Sequence, residues 1–299
     1  MTAPAVPAVD RGDVSVVGAS RARRVQRGIA YALLIGYGLL MLVPFAWSVS
    51  TSFKTLPDVN DDISFVPDPF TLDAWRYAWE RLDPALPVMF LNSAILAVAV
   101  TITNLVLASI AGYAFARLRF PGREALFILV LATLMIPDQL RLVPIYVLFN
   151  TLGLTRGDLQ FLAVILVLAI SAASVFLLRQ AFISLPRELE EAARIDGASF
   201  FTTFRKVMLP LVGPALAAVA VLQFQGTWNS FFWPLILMRE RDNWPIQLGL
   251  VQFRLEGGFA TNWPPLMAVV VMATIPILVL YLFAQRYFVE GVAASGVKG

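Results

Sequence analysis

Long stretches without charge are the feature that most constrains this chain. A helix needs roughly 20 apolar residues to cross a bilayer, and a charge at its centre costs about 2.5–3.5 kcal/mol on insertion scales. Five charge-free stretches are long enough, and they cover residues 28–53, 84–116, 159–178, 207–238 and 257–285. The chain is 59% hydrophobic, above the roughly 45–50% of soluble domains. The sequence therefore predicts an all-α polytopic membrane protein.

A sixth apolar stretch is interrupted by charge. Residues 125–137 carry none, but Asp138 and Arg141 follow before the apolar pattern resumes. We interpret residues 122–143 as one span with both charges near its outer end; a broken or re-entrant segment is the alternative. The predicted transmembrane domain, 28–288, then has six spans, at about 28–50, 88–116, 122–143, 159–179, 208–236 and 264–285.

The distribution of positive charge predicts the orientation. Six spans place both termini on one side, and that side holds 15 of the lysines and arginines against 8 on the other. Because positive loops stay inside, both termini are predicted to be cytoplasmic. The basic segment 1–27 is expected to be disordered and to contact lipid rather than nucleic acid. Residues 289–299 are expected to form a cytoplasmic tail.

Several kinds of chemistry are absent from the composition. There is no Cys and no His, so thiolate nucleophiles and a histidine general base are excluded, and no cofactor or metal site is expected. None of the three lysines follows a glycine-rich phosphate loop. A membrane enzyme is therefore disfavoured, and any ATP hydrolysis must belong to a separate subunit.

One predicted cytoplasmic loop, 180–207, contains the segment ELEEAARIDG, which runs from Glu188 to Gly197. Five of its ten residues are charged, in a chain that is 14% charged. Gly197 and Ser199 predict two short helices, one ending at the glycine and one beginning at the serine. An amphipathic helix on the lipid surface is one interpretation. The acids and the small alanines favour docking against a protein instead.

This loop resembles a known signature. Glu191-Ala192-Ala193, Asp196-Gly197 and Leu209-Pro210 resemble the EAA loop of ATP-binding-cassette (ABC) importer permeases. The segments NSAILAVAVTITNLVLASIAGYAFARLRFPGR, WNSFFWPLI and QRYFVEGVAASGVKG resemble the carbohydrate-uptake branch, in particular its maltose permease G-like subunits.

The resemblance implies a type I importer (MetI-like) fold in a prokaryotic cell membrane. It implies four partners: a dimer of ATP-binding-cassette ATPases, a second permease subunit, an extracytoplasmic solute-binding protein and a sugar. It also implies that the EAA loop couples the ATPase to the permease. The residues expected to make that contact are Glu191, Ala192, Ala193, Asp196 and Gly197.

Polar residues within the spans are candidates for the substrate pathway. They are Asn92, Gln223, Gln225, Trp228 and Asn229, and Asn104, Ser171 and Ser174 are further candidates. Amides beside an aromatic ring suit a neutral sugar, although such residues also hold helices together. A glycerol phosphate or polyol cargo is the alternative within the same class, and an ion-coupled secondary transporter is the alternative outside it.

Overall fold

The computed structural model describes residues 16–61, 64–80, 82–256 and 262–295 of the 299-residue chain. Within those ranges the chain is helical and contains no β-strand. The α-helices are, in chain order, α1 (Val16–Thr51), α2 (Leu56–Asp61), α3 (Asp73–Glu80), α4 (Leu86–Arg117), α5 (Arg123–Ala132), α6 (Asp138–Thr151), α7 (Leu159–Leu168), α8 (Ala172–Ser184), α9 (Glu188–Ile195), α10 (Phe200–Thr202), α11 (Leu209–Leu211), α12 (Gly213–Trp228), α13 (Phe232–Leu237), α14 (Ile246–Glu256) and α15 (Trp263–Ser295).

Membrane-spanning candidates take two forms in the described chain. Three are single long helices, within α1, α4 and α15. Three are bent pairs of helices: α5 with α6 at 99°, α7 with α8 at 50°, and the segment Phe200–Leu211 with α12 at 78°. When each bent pair crosses once, length and composition give six spans, as the sequence predicts.

The third predicted span is not a single helix. α5 ends at Ala132, a 3-10 turn covers Thr133–Met135, and α6 leaves in a new direction from Asp138. Pro137 precedes α6 and has no N–H to continue the hydrogen-bond ladder of α5. The prediction of one uninterrupted span over 122–143 is therefore wrong, and the segment is broken.

The terminal helices are longer than their predicted spans. α1 begins at Val16, so residues 16–27 are helical although the sequence suggested disorder there. The segment contains no proline, and its alanines and arginines are good helix formers that extend the apolar span. α15 runs to Ser295, into the predicted tail. Residues 1–15 and 296–299 lie outside the described residues.

α4 is the central helix of the bundle, and it packs against α7, α8, α12 and α14. It approaches α8 closely at Gly112. A Cβ atom at Gly112 would lie 3.0 Å from the Leu178 Cβ and 3.0 Å from the Arg179 backbone nitrogen. The two ends of α4 therefore define two ends of the molecule: one with α3 and α14, and one with α9.

Candidate functional sites: an exposed short helix and a polar cavity

α9 is built and ended by local sequence signals. Its first turn carries Glu188, Glu190 and Glu191, whose charges favour the positive end of a helix dipole. Gly197 follows with φ +76°, a conformation that costs little only for glycine. The N–H of Gly197 donates to Arg194 O at 3.0 Å, and that of Ala198 donates to Ala193 O at 2.9 Å. This pair of bonds is a Schellman cap.

The helix after α9 begins as the sequence predicts. The Ser199 hydroxyl accepts a bond from the Thr202 N–H at 3.2 Å and so caps α10. A π-helical turn over Thr203–Met208 continues this segment toward α12. The predicted arrangement of two short helices around Gly197 is confirmed.

The predicted coupling residues do not all face the same way. Glu191, Ala192, Asp196 and Gly197 are exposed, whereas Ala193 is 8% exposed and faces the chain's own bundle. Ile195 is 86% exposed, which is unusual for a large apolar side chain beside acids. α9 therefore presents a surface that mixes carboxylates, small residues and one uncovered hydrophobe.

Sequence reasoning missed the acid that points inward. Glu190 is 12% exposed, and its Oε1 lies 3.7 Å from Nε of Arg117, which ends α4. The sequence does not show which of the three acids in the first turn points inward, because that depends on which face of α9 packs on the bundle. A groove of about 400 Å³ borders this pair, and Arg119, Arg187 and Arg194 also line it.

The second site is a cavity of about 580 Å³ where the bent helices break. Its lining comes from the α5–α6 break, the α7–α8 break and the end of α12. The polar lining residues are Thr133, Asp138, Gln139, Arg141, Ser171, Gln223, Thr227 and Ser230. Helix breaks leave backbone polar groups without helical partners, and such breaks are tolerated at membrane depth only where they are buried in protein or line a cavity.

Helix lengths place this cavity near the middle of the bundle. α5 and α7 each have 10 residues and start from opposite ends of the molecule. Each therefore rises about 15 Å before it reaches the cavity, which is half of a hydrocarbon core of about 30 Å. Both helices break at a similar distance from their own ends of the molecule, so the cavity lies between those ends.

The formal charges in the cavity lining cancel. Asp138 and Arg141 are one helical turn apart and form an ion pair. The Arg141 guanidinium also lies 5.9 Å from the centre of the Trp233 ring. Gln223 Nε2 donates to Thr227 Oγ1 at 3.3 Å. The cavity thus offers hydroxyls, amides and an aromatic ring without net charge.

Of the five predicted pathway residues, only Gln223 lines the cavity. Asn92 is buried, and its amide donates to Asp242 O at 2.8 Å and to Trp244 O at 3.1 Å, which ties the α13–α14 connection to α4. Trp228 is buried and donates from Nε1 to Ala273 O at 3.1 Å. Asn229 accepts from Gln247 Nε2 at 3.3 Å.

Gln225 is exposed. Among the cavity's other polar residues, the sequence also offers Ser171 as a candidate and marks Asp138 and Arg141 as charges in the third span. The sequence does not indicate the rest, because the positions of the helix breaks decide which side chains converge. The available signal was the charged pair Asp138 and Arg141, which interrupts the apolar pattern of the third span.

Comparison with known proteins agrees with this architecture. The profile of the family described as "Binding-protein-dependent transport system inner membrane component" matches residues 104–293. The arabinooligosaccharides transport system permease protein AraQ of Halalkalibacterium halodurans is 35% identical over 282 residues, which cover 93% of this chain and 99% of AraQ. The sn-glycerol-3-phosphate transport system permease protein UgpE of Yersinia pestis is 31% identical over 267 residues, 88% of this chain and 94% of UgpE.

A solved structure is similar over most of the chain. It is the crystal structure of a bacterial ABC transporter involved in the import of the acidic polysaccharide alginate. The matched chain is 25% identical, with a TM-score of 0.78, and the match covers 90% of this chain and 98% of that one.

Proposed function

We propose the following function on the basis that the chain belongs to the family of binding-protein-dependent transport system inner membrane components. It is the permease subunit of an ATP-driven importer, and its cargo is a neutral sugar or oligosaccharide. The ATP is hydrolysed by a separate pair of subunits. Both termini and α9 lie in the cytoplasm, and α3 and α14 lie on the outer side.

The cavity at the helix breaks is the observation that carries the choice of cargo. It sits at the depth where an alternating-access transporter holds its substrate. Hydroxyls, amides and the Trp233 ring complement the hydroxyl groups and apolar faces of a sugar. AraQ is named for arabinooligosaccharides, which fits such a cavity.

A glycerol phosphate cargo is the second candidate, and the likeness to UgpE favours it. A phosphate needs a cation that is not already neutralised. Arg141 is the one basic residue of the described cavity lining, and Asp138 already pairs with it. The charge balance therefore favours the neutral sugar.

The exposed surface of α9 supports docking to the ATPase subunits. Glu191 and Asp196 supply polar contacts there, Ala192 and Gly197 allow close approach, and Ile195 supplies apolar area. When the ATPase subunits close on ATP, α9 moves and the bundle changes from inward-open to outward-open. A second permease subunit completes the pathway, and a solute-binding protein delivers the sugar from outside.

Transport in proteoliposomes tests this proposal. The chain is reconstituted with its partner permease and ATPase subunits, and labelled arabino-oligosaccharide and glycerol 3-phosphate are offered separately with the solute-binding protein. We expect oligosaccharide uptake only when ATP is present on the side of the ATPase subunits and the solute-binding protein is present on the opposite side. Uptake that follows an ion gradient without ATP would refute the proposal, and a preference for glycerol 3-phosphate would replace the cargo.

A further inference from the structure

Arg117, the last residue of α4, binds the C-terminal end of α8, just before the loop that leads to α9. Arg117 Nη2 donates to Phe182 O and to Leu185 O, each at 2.6 Å. These two carbonyls close the C-terminus of α8, where a cation also opposes the negative end of the helix dipole. The Arg117 side chain is 5% exposed. Arg117 therefore joins the ends of α4 and α8 in a nearly dry environment.

The same guanidinium faces the first turn of α9. Its Nε lies 3.7 Å from Glu190 Oε1, and neither atom has a hydrogen-bond partner among the described residues. Both atoms are buried, and the Tyr113 side chain also interacts with the Glu190 carboxylate. Arg117 supplies the positive charge that compensates this buried carboxylate. Glu190 is thus held to α4 by charge, while its neighbour Glu191 remains exposed.

Packing around this pair makes α4 and α8 one body. Gly112 brings the two helices into backbone contact. Tyr113, one turn before Arg117, places its ring 5.3 Å from that of Phe182 in α8 and 5.0 Å from that of Phe204, after α9. α9 is therefore attached at its start by the ion pair and beyond its end by aromatic packing.

We propose that the Arg117–Glu190 pair is the joint that transfers the movement of α9 to the α4–α8 body. This inference rests on the proposed docking of α9 to the ATPase. Arg117 and Glu190 act as positioning residues, because they touch neither ATP nor sugar. Without the joint, α9 would shift against α4, and hydrolysis would proceed without reorienting the bundle.

The test compares Glu190→Gln with Glu188→Gln in the complete reconstituted importer. Both variants remove one charge from the first turn of α9, but Glu188 is exposed. ATP hydrolysis and sugar uptake are measured together, and the result is the number of sugars imported per ATP. We expect Glu190→Gln to lower this ratio by about 5-fold or more while hydrolysis continues, and Glu188→Gln to leave it unchanged.

Arg117→Lys and Arg117→Gln form a second pair in case Glu190→Gln does not assemble. Lysine keeps a positive charge opposite Glu190, so the Arg117→Lys importer should import more sugars per ATP than the Arg117→Gln importer. The proposed role of the Arg117–Glu190 pair would be overturned if Glu190→Gln left the number of sugars imported per ATP unchanged. It would also be overturned if the two Arg117 variants gave the same number. A parallel loss of hydrolysis and uptake would also overturn it, since a merely structural role predicts that result. Absence of uptake in the unaltered importer would instead contradict the proposed function.

Discussion

Gly197 shows how one residue serves both the local fold and the proposed docking. Its positive φ allows the two Schellman bonds that end α9. A left-handed conformation costs a non-glycine residue roughly 1–2 kcal/mol. A Cβ atom at Gly197 would meet nothing within 4 Å in this chain. A larger residue there would therefore project away from the bundle, toward the proposed ATPase.

We predict that Gly197→Trp uncouples hydrolysis from transport. The indole would crowd the docking surface, so sugar imported per ATP should fall by about 5-fold or more. Gly153→Trp is the matched control, because Gly153 also has a positive φ and open space around its Cβ position, but lies in the α6–α7 connection at the other end. Full coupling in Gly197→Trp would contradict the docking of this surface.

Individual residues differ in how far their structural roles can be predicted from the sequence. Gly197 and Ser199 have local signals, and the structure confirms the helix ends they indicate. Asn92 and Trp228 were correctly recognised as polar groups within spans, but their partners are 150 and 45 residues away. No local sequence pattern specifies such distant partners. The sequence therefore does not show whether these side chains hold helices together or line the substrate pathway.

At the scale of elements, the close contact between α4 and α8 holds the bundle together. Leu178, Phe182 and Val175 of α8 are buried in the same cluster as Tyr113 and Ala108 of α4. Gly112 allows this approach because it has no side chain. The apolar composition predicted both helices, but a helix with almost no polar face gives no signal for which side meets its neighbour.

We predict that Gly112→Ala lowers the thermal midpoint of the purified importer. The new methyl group would start 3.0 Å from the Leu178 Cβ and from the Arg179 backbone nitrogen. Overpacking of this kind costs roughly 1–3 kcal/mol. Gly38→Ala in α1 is the control, because a Cβ there meets nothing within 4 Å, and its midpoint should not fall. Equal midpoints for the two variants would contradict the close α4–α8 contact.

For the whole molecule, α4 links two ends with different chemistry. At one end Asn92 and Ser93 hold the segment that leads into α14. At the other end Arg117 holds α8 and α9. The polar cavity lies between these ends, where α5 and α7 both break. In the proposed mechanism, a displacement of α9 reaches the cavity through α4 and α8.

Length and composition of the described helices allow the six spans that the sequence predicts, while the side of α9 stays a prediction from charge. The cavity does not follow in the same way. It forms where the α5–α6 and α7–α8 pairs break beside the end of α12, and composition shows only that these segments are apolar. The sequence predicted six spans, and the positions of the breaks had to come from packing.

Site-directed photo-cross-linking tests whether α9 docks to a separate ATPase. A photoreactive residue at Ala192, which is exposed, is compared with one at Leu152, 62% exposed at the end beyond α6. We expect a cross-link from position 192 to the ATPase subunit and none from position 152. A cross-link from position 192 to lipid alone, in an assembled and transporting complex, would contradict it.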